Sequence, residues 1–394
     1  MNAKPAISRR HFLQTSAAAS AVALFHVRAR AQSAAAARVL EKKVISLDPE
    51  HYHGWPTLER RAKGQLVVTY SGGREEHVCP FGRVEMIVSN DNGTTWGFPR
   101  VLLDSDTDDR DSGVLETSRG TLLVTTFTSL AYEKVLQTAE KKKPGEPGAW
   151  PADRLKLWQA AHNRMTAEQR QAELGQWMIR STDGGRTWSP RYPSIVNSPH
   201  GPVELADGRL LYAGKELWTG ERRVGVCESP DDGRSWRWLA AIPPRVNDDP
   251  ANYHELHAVE TTGGRLIVHI RNHNRANLNE TLQSESTDGG KTWSVPQSID
   301  VWGLPSHLLR LRNGHLLMTY GYRRKPFGNQ ARLSTNNGRT WLEPMTVSDD
   351  GFNGDLGYPS TAELDDGTLL TVWYERMKDS PRAVLRQARW LLEV

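Results

Sequence analysis

An eight-residue pattern recurs five times along this chain, and it limits the fold more than any other feature. It reads Ser-x-Asp-x-Gly-x-Thr-Trp, with copies at 89–96, 181–188, 229–236, 286–293 and 334–341. The Asp-x-Gly core suits a tight turn, because the carboxylate accepts backbone N–H bonds and glycine takes positive φ without cost. The tryptophan that follows is a large apolar side chain at fixed spacing, suited to wedge between neighbouring layers. A second pattern, a turn glycine two residues before a leucine that opens an apolar run, recurs six times, at Gly64, Gly120, Gly208, Gly264, Gly314 and Gly367. The two alternate at a period of roughly 50 residues, room for four short strands, which is the signature of a propeller blade. Six glycine signatures predict an all-β chain folded as a six-bladed β-propeller.

The sixth blade lacks the tryptophan turn. Its strands read as 357–364, 368–375 and 383–390, one short of four, and the segment 39–47 is placed to supply the outer strand and close the ring. Blade two is irregular. Roughly 40 extra residues separate Thr128 from Trp177, too many for a simple strand connection. Within this insertion (about 130–176), 141–151 reads as loop and 153–174 as helix, with a capping box at Thr166 and Gln169.

Residues 1–31 read as an address, leaving 38–394 for the propeller. The pair Arg9-Arg10 precedes an apolar stretch, 15–27, and then Ala29-Arg30-Ala31 as a small-x-small cleavage signal. That layout predicts a Tat signal peptide and a periplasmic or secreted protein. The segment also carries the formal net charge of +4, holding five basic residues and no acid. Without it, the 50 basic residues fall to 45 against 46 acidic ones. No nucleic-acid partner is therefore predicted. Beyond the start, no apolar run approaches the ~20 residues of a membrane-spanning helix. Cys79 and Cys227 are far apart, and nothing demands a bridge.

Alternate turns of an antiparallel blade lie on opposite faces. The tryptophan and glycine turns share one face, so the other collects the starts of the inner strands and the loops between second and third strands. Inner-strand starts supply Asp111, His200, Glu255, His257, His307 and Tyr358. The loops supply Arg74, Glu76, His77, Arg271, Arg323 and Arg324. Polar and titratable side chains converging on one axial mouth predict a ligand site. The spacings of His51/His53 and of His254/His257 are compatible with metal ligation, but no coherent second set of ligands is visible, and strand alternation separates His254 from His257. No metal and no cofactor are predicted, and no phosphate-binding glycine loop is present.

The repeated turns are similar to the Asp boxes of the sialidase superfamily, over essentially the whole chain beyond the signal. That resemblance implies a nucleophilic tyrosine at the start of the last inner strand, here Tyr358 in Gly357-Tyr358-Pro359-Ser360. It implies Glu255 as the carboxylate that removes its proton, and Arg271 with Arg323 or Arg324 as carboxylate-binding arginines. Arg74 resembles an arginine that sialidases keep in this loop. A phenol attacks only when a base takes its proton, and arginine binds a carboxylate with two parallel bonds. Sialidases depart from the two-carboxylate glycosidase scheme in this way. Two positions depart from the family pattern. Gly54 stands where the first arginine is found, and the loop 73–82 has no aspartate, leaving Glu75, Glu76 or His77 as acid.

The resemblance implies exo-type hydrolysis of a terminal, acidic sugar, with the insertion covering the mouth and a glycan as partner. Two alternatives stand beside it. One is a uronate-specific polysaccharide lyase using His200, His307 and Tyr358 with Arg271 or Arg323. The other is a non-catalytic glycan-binding propeller.

Overall fold

The computed structural model describes residues 35–394 apart from Leu47, Pro49 and Thr219; the predicted signal peptide lies outside them. Twenty-four strands form six four-stranded antiparallel sheets. Labelled A to D from the axis outward, the inner A strands are Tyr52–Arg60, Asp108–Glu116, Val203–Glu204, Tyr253–Glu260, Ser306–Arg310 and Leu356–Glu363. The B strands are covered on both faces, so they read as continuous apolar runs rather than alternating ones. Leu66-Val67-Val68, Leu122-Leu123-Val124 and Leu266-Ile267-Val268 are all buried.

The recurring turns are built as their residue types dictate. Ser89 Oγ donates to Asp91 Oδ1 (2.7 Å) and accepts from Gly93 N (2.9 Å), while Asp91 Oδ1 accepts from Thr95 N (2.8 Å). Two of the five tryptophans bond back to the preceding blade. Trp96 Nε1 of blade one donates to Gln387 of blade six (2.8 Å), and Trp341 Nε1 of blade five donates to Gln283 of blade four (3.1 Å).

The ring closes with strands from both ends of the chain. Ala36–Val44 lies antiparallel on Ala383–Glu393, from Ala36↔Glu393 to Val44↔Arg386. The strand begins three residues before the expected 39–47, because its partner continues past Trp390 to Glu393 and offers ladder positions back to Ala36.

The insertion of blade two holds three helices, α1 (Tyr132–Glu140), α2 (Ala152–Asn163) and α3 (Ala167–Ala172). The single helix expected over 153–174 is broken at Thr166, whose side chain caps α3 in a capping box with Gln169. The sequence reading missed α1. Tyr132, Leu136 and Trp158 bury themselves against Cys79, which fastens the insertion to the B–C loop of blade one. Among the described residues, no helix is long and apolar enough to cross a membrane. Cys79 and Cys227 are buried free thiols.

Candidate active site

Four of the six inner strands carry the same irregularity at the same height. The register slips between Gly54 and Thr57, Arg110 and Gly113, His254 and His257, and Gly357 and Ser360. Within each slip one non-glycine residue has positive φ: Trp55 at 54°, Asp111 at 50°, Glu255 at 43° and Tyr358 at 54°. Such a conformation is uncommon for L-residues and costs on the order of 1–3 kcal/mol unless its surroundings enforce it. A bulge re-aims a side chain, and here it turns four side chains toward the mouth formed by the inner-strand starts. Gly357, beside Tyr358, has φ 119°, and a Cβ there would lie 3.3 Å from the Gly321 backbone. Only glycine fits both constraints.

The tyrosine of blade six meets the glutamate of blade four. The Tyr358 hydroxyl donates to Glu255 Oε1 and accepts from Arg271 Nη1 at 3.0 Å. Arg271 Nη1 also donates to Glu255 Oε2, and Arg271 Nε donates to His273 Nε2 at 2.9 Å. Burial, then the charge on Glu255, pushes the Tyr358 phenol well above its ordinary value. Burial also raises the Glu255 carboxyl, but Arg271, the Tyr358 hydrogen bond and Arg323 together outweigh it. The net direction is down. The pair therefore stands as a neutral phenol on an ionised carboxylate, the ground state of a nucleophile waiting on its base.

Arg323 and Arg324 part company. Arg323 donates Nε to the Leu356 carbonyl (3.0 Å) and brings its guanidinium to 5.9 Å from the Tyr358 ring. Arg324 points away and lies 3.6 Å over the Trp302 ring. Arg271 and Arg323 thus flank the tyrosine.

Arg74, read as substrate-facing, is instead enclosed. Its side chain and that of Asp108 are both 0% exposed, with Nη1–Oδ1 at 2.5 Å and Nη2–Oδ2 at 3.1 Å. An aspartate in reach takes up the guanidinium fork and holds it under Trp55, 5.0 Å from the ring. Arg110 covers Trp55 at 4.6 Å. At Gly54, where the family pattern has an arginine, a Cβ would lie 3.0 Å from the Tyr52 ring.

The acid candidates of the blade-one loop are engaged elsewhere. Arg154 of α2 pairs with Glu75 (2.7 Å) and with Glu76 (2.8 Å), and Trp158 Nε1 donates to Glu75 (2.5 Å). Glu76 therefore fastens the helical insertion rather than pointing at Tyr358. His77 stands edge-on to Trp55 (4.9 Å), with Nδ1 3.0 Å from Asp355 and 2.9 Å from the Tyr52 hydroxyl. Burial lowers the His77 pKa despite Asp355, so the ring is neutral near pH 7.

His200, His257 and His307 come together, but on the other side of the bulge layer. Their rings contact one another at 4.6–5.2 Å between centroids. They line an axial cavity of about 360 Å³ with Arg60, Arg312 and Glu363, at the far ends of the inner strands. Tyr358, Glu255 and Arg271 do not line it. Of the residues named for a lyase, His200 and His307 therefore lie apart from Arg271, whereas Tyr358 accepts from Arg271 Nη1 at 3.0 Å. Among the described residues, no group of three or more His, Cys, Asp or Glu could hold a metal ion.

Trp55, Arg110 and His273, which the sequence places on the same face at strand starts and a B–C loop, also contribute, and Asp355 is missing from the sequence-derived site. His273 was signalled by its place two residues from Arg271, on the same strand face. Arg110 was signalled by its place beside Asp111. Nothing in the sequence marks Asp355, which gathers Tyr52, His77 and Tyr374 through tertiary contacts.

Comparison with known proteins follows the same lines. The model of the BNR repeat-like domain matches residues 133–371, and that of the TAT (twin-arginine translocation) pathway signal sequence matches residues 6–26. The latter marks the chain for export across the cytoplasmic membrane, to the periplasm or beyond. A protein of unknown function from Dyadobacter fermentans superposes with a TM-score of 0.71 at 22% identity, over 91% of this chain and 99% of that one. The intramolecular trans-sialidase from Ruminococcus gnavus, solved with oseltamivir carboxylate, superposes with a TM-score of 0.60 at 14% identity, over 86% and 94%. A xyloglucanase from Paenibacillus sp is 25% identical over an alignment of 221 residues that covers 49% of this chain. The chain spans about a fifth of that relative's length, 21%.

Proposed function

We propose, from the premise that the chain belongs to the BNR repeat-like domain family, that it is an exported exo-glycosidase removing a terminal acidic sugar from glycans. The observation that carries this reading is the Tyr358–Glu255–Arg271 contact, made by blades six and four, 103 residues apart in sequence between tyrosine and glutamate. Glu255 takes the phenol proton as the Tyr358 oxygen attacks the anomeric carbon, so no anionic nucleophile needs to approach an anionic sugar. Arg271 and Arg323 flank the reacting oxygen and suit a carboxylate on that carbon. The bond from carbon to the departing oxygen breaks, and water then releases the sugar from the tyrosine.

A neutral glucan end is the second reading. It is favoured by Gly54, where an arginine would be needed to complete a three-arginine clamp, and by the xyloglucanase relative. One experiment separates these readings. The protein is incubated with sialylated, uronate-containing and xyloglucan oligosaccharides, and the products are weighed by mass spectrometry. Hydrolysis of a sialylated or uronate-capped chain is expected, with Tyr358→Phe inactive. A product one water lighter, with the ultraviolet absorbance of an unsaturated sugar, would mean elimination. Silence across the panel, or full activity in Tyr358→Phe, would end the glycosidase reading.

A further inference from the structure

The reaction needs a proton for the departing oxygen, and the residues first in line do not supply it. Glu75 and Glu76 are paired with Arg154, and His77 is neutral and bonded to Asp355 and Tyr52. Asp111 differs from all three. It occupies the blade-two copy of the bulge that aims Glu255 and Tyr358 at the mouth, with the same left-handed backbone. Its neighbour Arg110 lies over Trp55, whose ring meets Tyr358 edge-on at 6.5 Å. Its carboxyl makes no hydrogen bond among the described residues, although the residue is only 7% exposed. Buried carboxylates are normally satisfied; one left without a partner is available to a ligand.

We propose that Asp111 is the general acid and base of this site, donating its proton to the departing glycosidic oxygen and later withdrawing one from the attacking water. The assignment rests on the glycosidase reading above. In the first half-reaction Glu255 gains the phenol proton, the Tyr358 oxygen bonds to the anomeric carbon, and that carbon's bond to the leaving oxygen breaks. Asp111 gives its proton to that oxygen and becomes a carboxylate. In the second, water attacks the same carbon, the bond to tyrosine breaks, Asp111 takes the water proton and Glu255 returns its own to the phenolate. Sugar and water become two hydroxyl products, and the enzyme is restored.

The surroundings hold Asp111 in the required state. Glu255 from blade four, Arg110 from its own strand, Arg271 from blade four and Arg74 from blade one act on it, and its charge is felt by Tyr358 and Tyr212. Burial, then the charge on Glu255, raises its pKa to about 7, so the two carboxyls titrate apart, one acid and one base.

The test uses methyl and 4-nitrophenyl glycosides of whichever sugar the wild-type protein releases from the oligosaccharide panel. A methoxide leaving group needs an acid and a nitrophenolate does not. For Asp111→Asn, kcat/KM on the methyl glycoside is expected to fall by about 10²–10⁴-fold, with less than about a tenfold loss on the nitrophenyl glycoside. Azide, which attacks without a base, is expected to restore turnover of the nitrophenyl glycoside as a glycosyl azide. The wild-type protein provides a reading that does not depend on the variant folding. Its kcat/KM for the methyl glycoside should decline on the alkaline side of neutrality, and that for the nitrophenyl glycoside should not. Equal losses on both glycosides, unchanged activity in the variant, or matching alkaline limbs would overturn the assignment while leaving the glycosidase reading intact. A wild-type protein that releases no sugar would overturn both.

Discussion

Arg271 does two jobs with one guanidinium. It keeps Glu255 ionised against the cost of burial, and it bonds the Tyr358 oxygen. Replacing it with methionine removes the largest influence opposing burial and leaves only the Tyr358 hydrogen bond and Arg323, so the Glu255 pKa rises. The acid limb of kcat/KM should then move to higher pH by a unit or more, read from a pH profile; a limb that stays in place would separate Arg271 from Glu255. Arg74 has a different task. With both partners fully enclosed, Arg74→Met leaves Asp108 buried with only Arg110, 3.8 Å away, as counter-charge, which should cost up to about 3–5 kcal/mol in chemical denaturation. Adding Asp108→Leu should recover most of that loss, and a double variant no better than the single one would show that the pair is not coupled. These two arginines mark what is readable at this scale. The convergence of Tyr358, Glu255 and Arg271 follows from equivalent places in different blades. The enclosure of Arg74 depends on Asp108, one of several acids in the run 106–111, and sequence spacing does not say which of them turns inward.

Inner strands reveal a feature that hydrophobic patterning hides. A bulge changes the face of one side chain, and a strand start rich in Gly, Tyr, Pro and Ser has no alternation to break. The glycines hint at it, since Gly54 and Gly357 precede Trp55 and Tyr358, but Arg110 and His254 precede the other two. If the left-handed conformation is enforced by the fold, truncation to glycine and to alanine should rank in an unusual order. In an ordinary strand Gly is worse than Ala by roughly 0.5–1 kcal/mol. At these bulges Ala pays for positive φ, roughly 1–2 kcal/mol, and Gly does not. Glu255→Gly should therefore be more stable than Glu255→Ala, and Asp111→Gly more stable than Asp111→Ala, in denaturant titrations. Alanine variants that are the more stable of each pair would mean that the bulges relax at no cost. The insertion shows the converse case. Thr166 and Gln169 are a local signal and α3 obeys it, whereas α1 is held by the packing of Tyr132 and Leu136 on Cys79, which no window of sequence contains.

The whole ring gathers residues whose meeting no single blade determines. The blade count is legible because each turn glycine is a local mark, and the closure is legible because the last blade is a strand short. The fate of the axial histidines is not. Equivalent places in blades three, four and five predict that His200, His257 and His307 meet, but half a turn of strand decides on which side of the bulges. Their position has a consequence for the molecule. Burial lowers the pKa of all three, that of His307 to about 3, and it lowers those of His53 and His269 to about 4. The unfolded chain binds protons at these five sites below about pH 6.5, and the native ring resists. Stability is therefore whole above that pH and lost as pH falls toward 4, at about 1.4 kcal/mol per unit for each histidine. Burial acts the other way on Glu59, raised to about 8, and on Asp109 and Asp111, each raised to about 7; these favour the folded state on acidification. Between pH 7 and about 6.5 only the carboxyls act and acidification stabilises; below about pH 6.5 five histidines outweigh three carboxyls, and acidification destabilises by about 3 kcal/mol per pH unit. Calorimetry at about pH 6.5 and pH 5 should show Tm falling by a few degrees. His200 is the sharpest probe, because neither of its ring nitrogens has a hydrogen-bond partner among the described residues. His200→Leu removes one titrating group and one unsatisfied one, so its Tm should be higher than wild type at pH 5 and its slope with pH shallower. An unchanged slope in that variant would place the acid sensitivity outside the propeller axis.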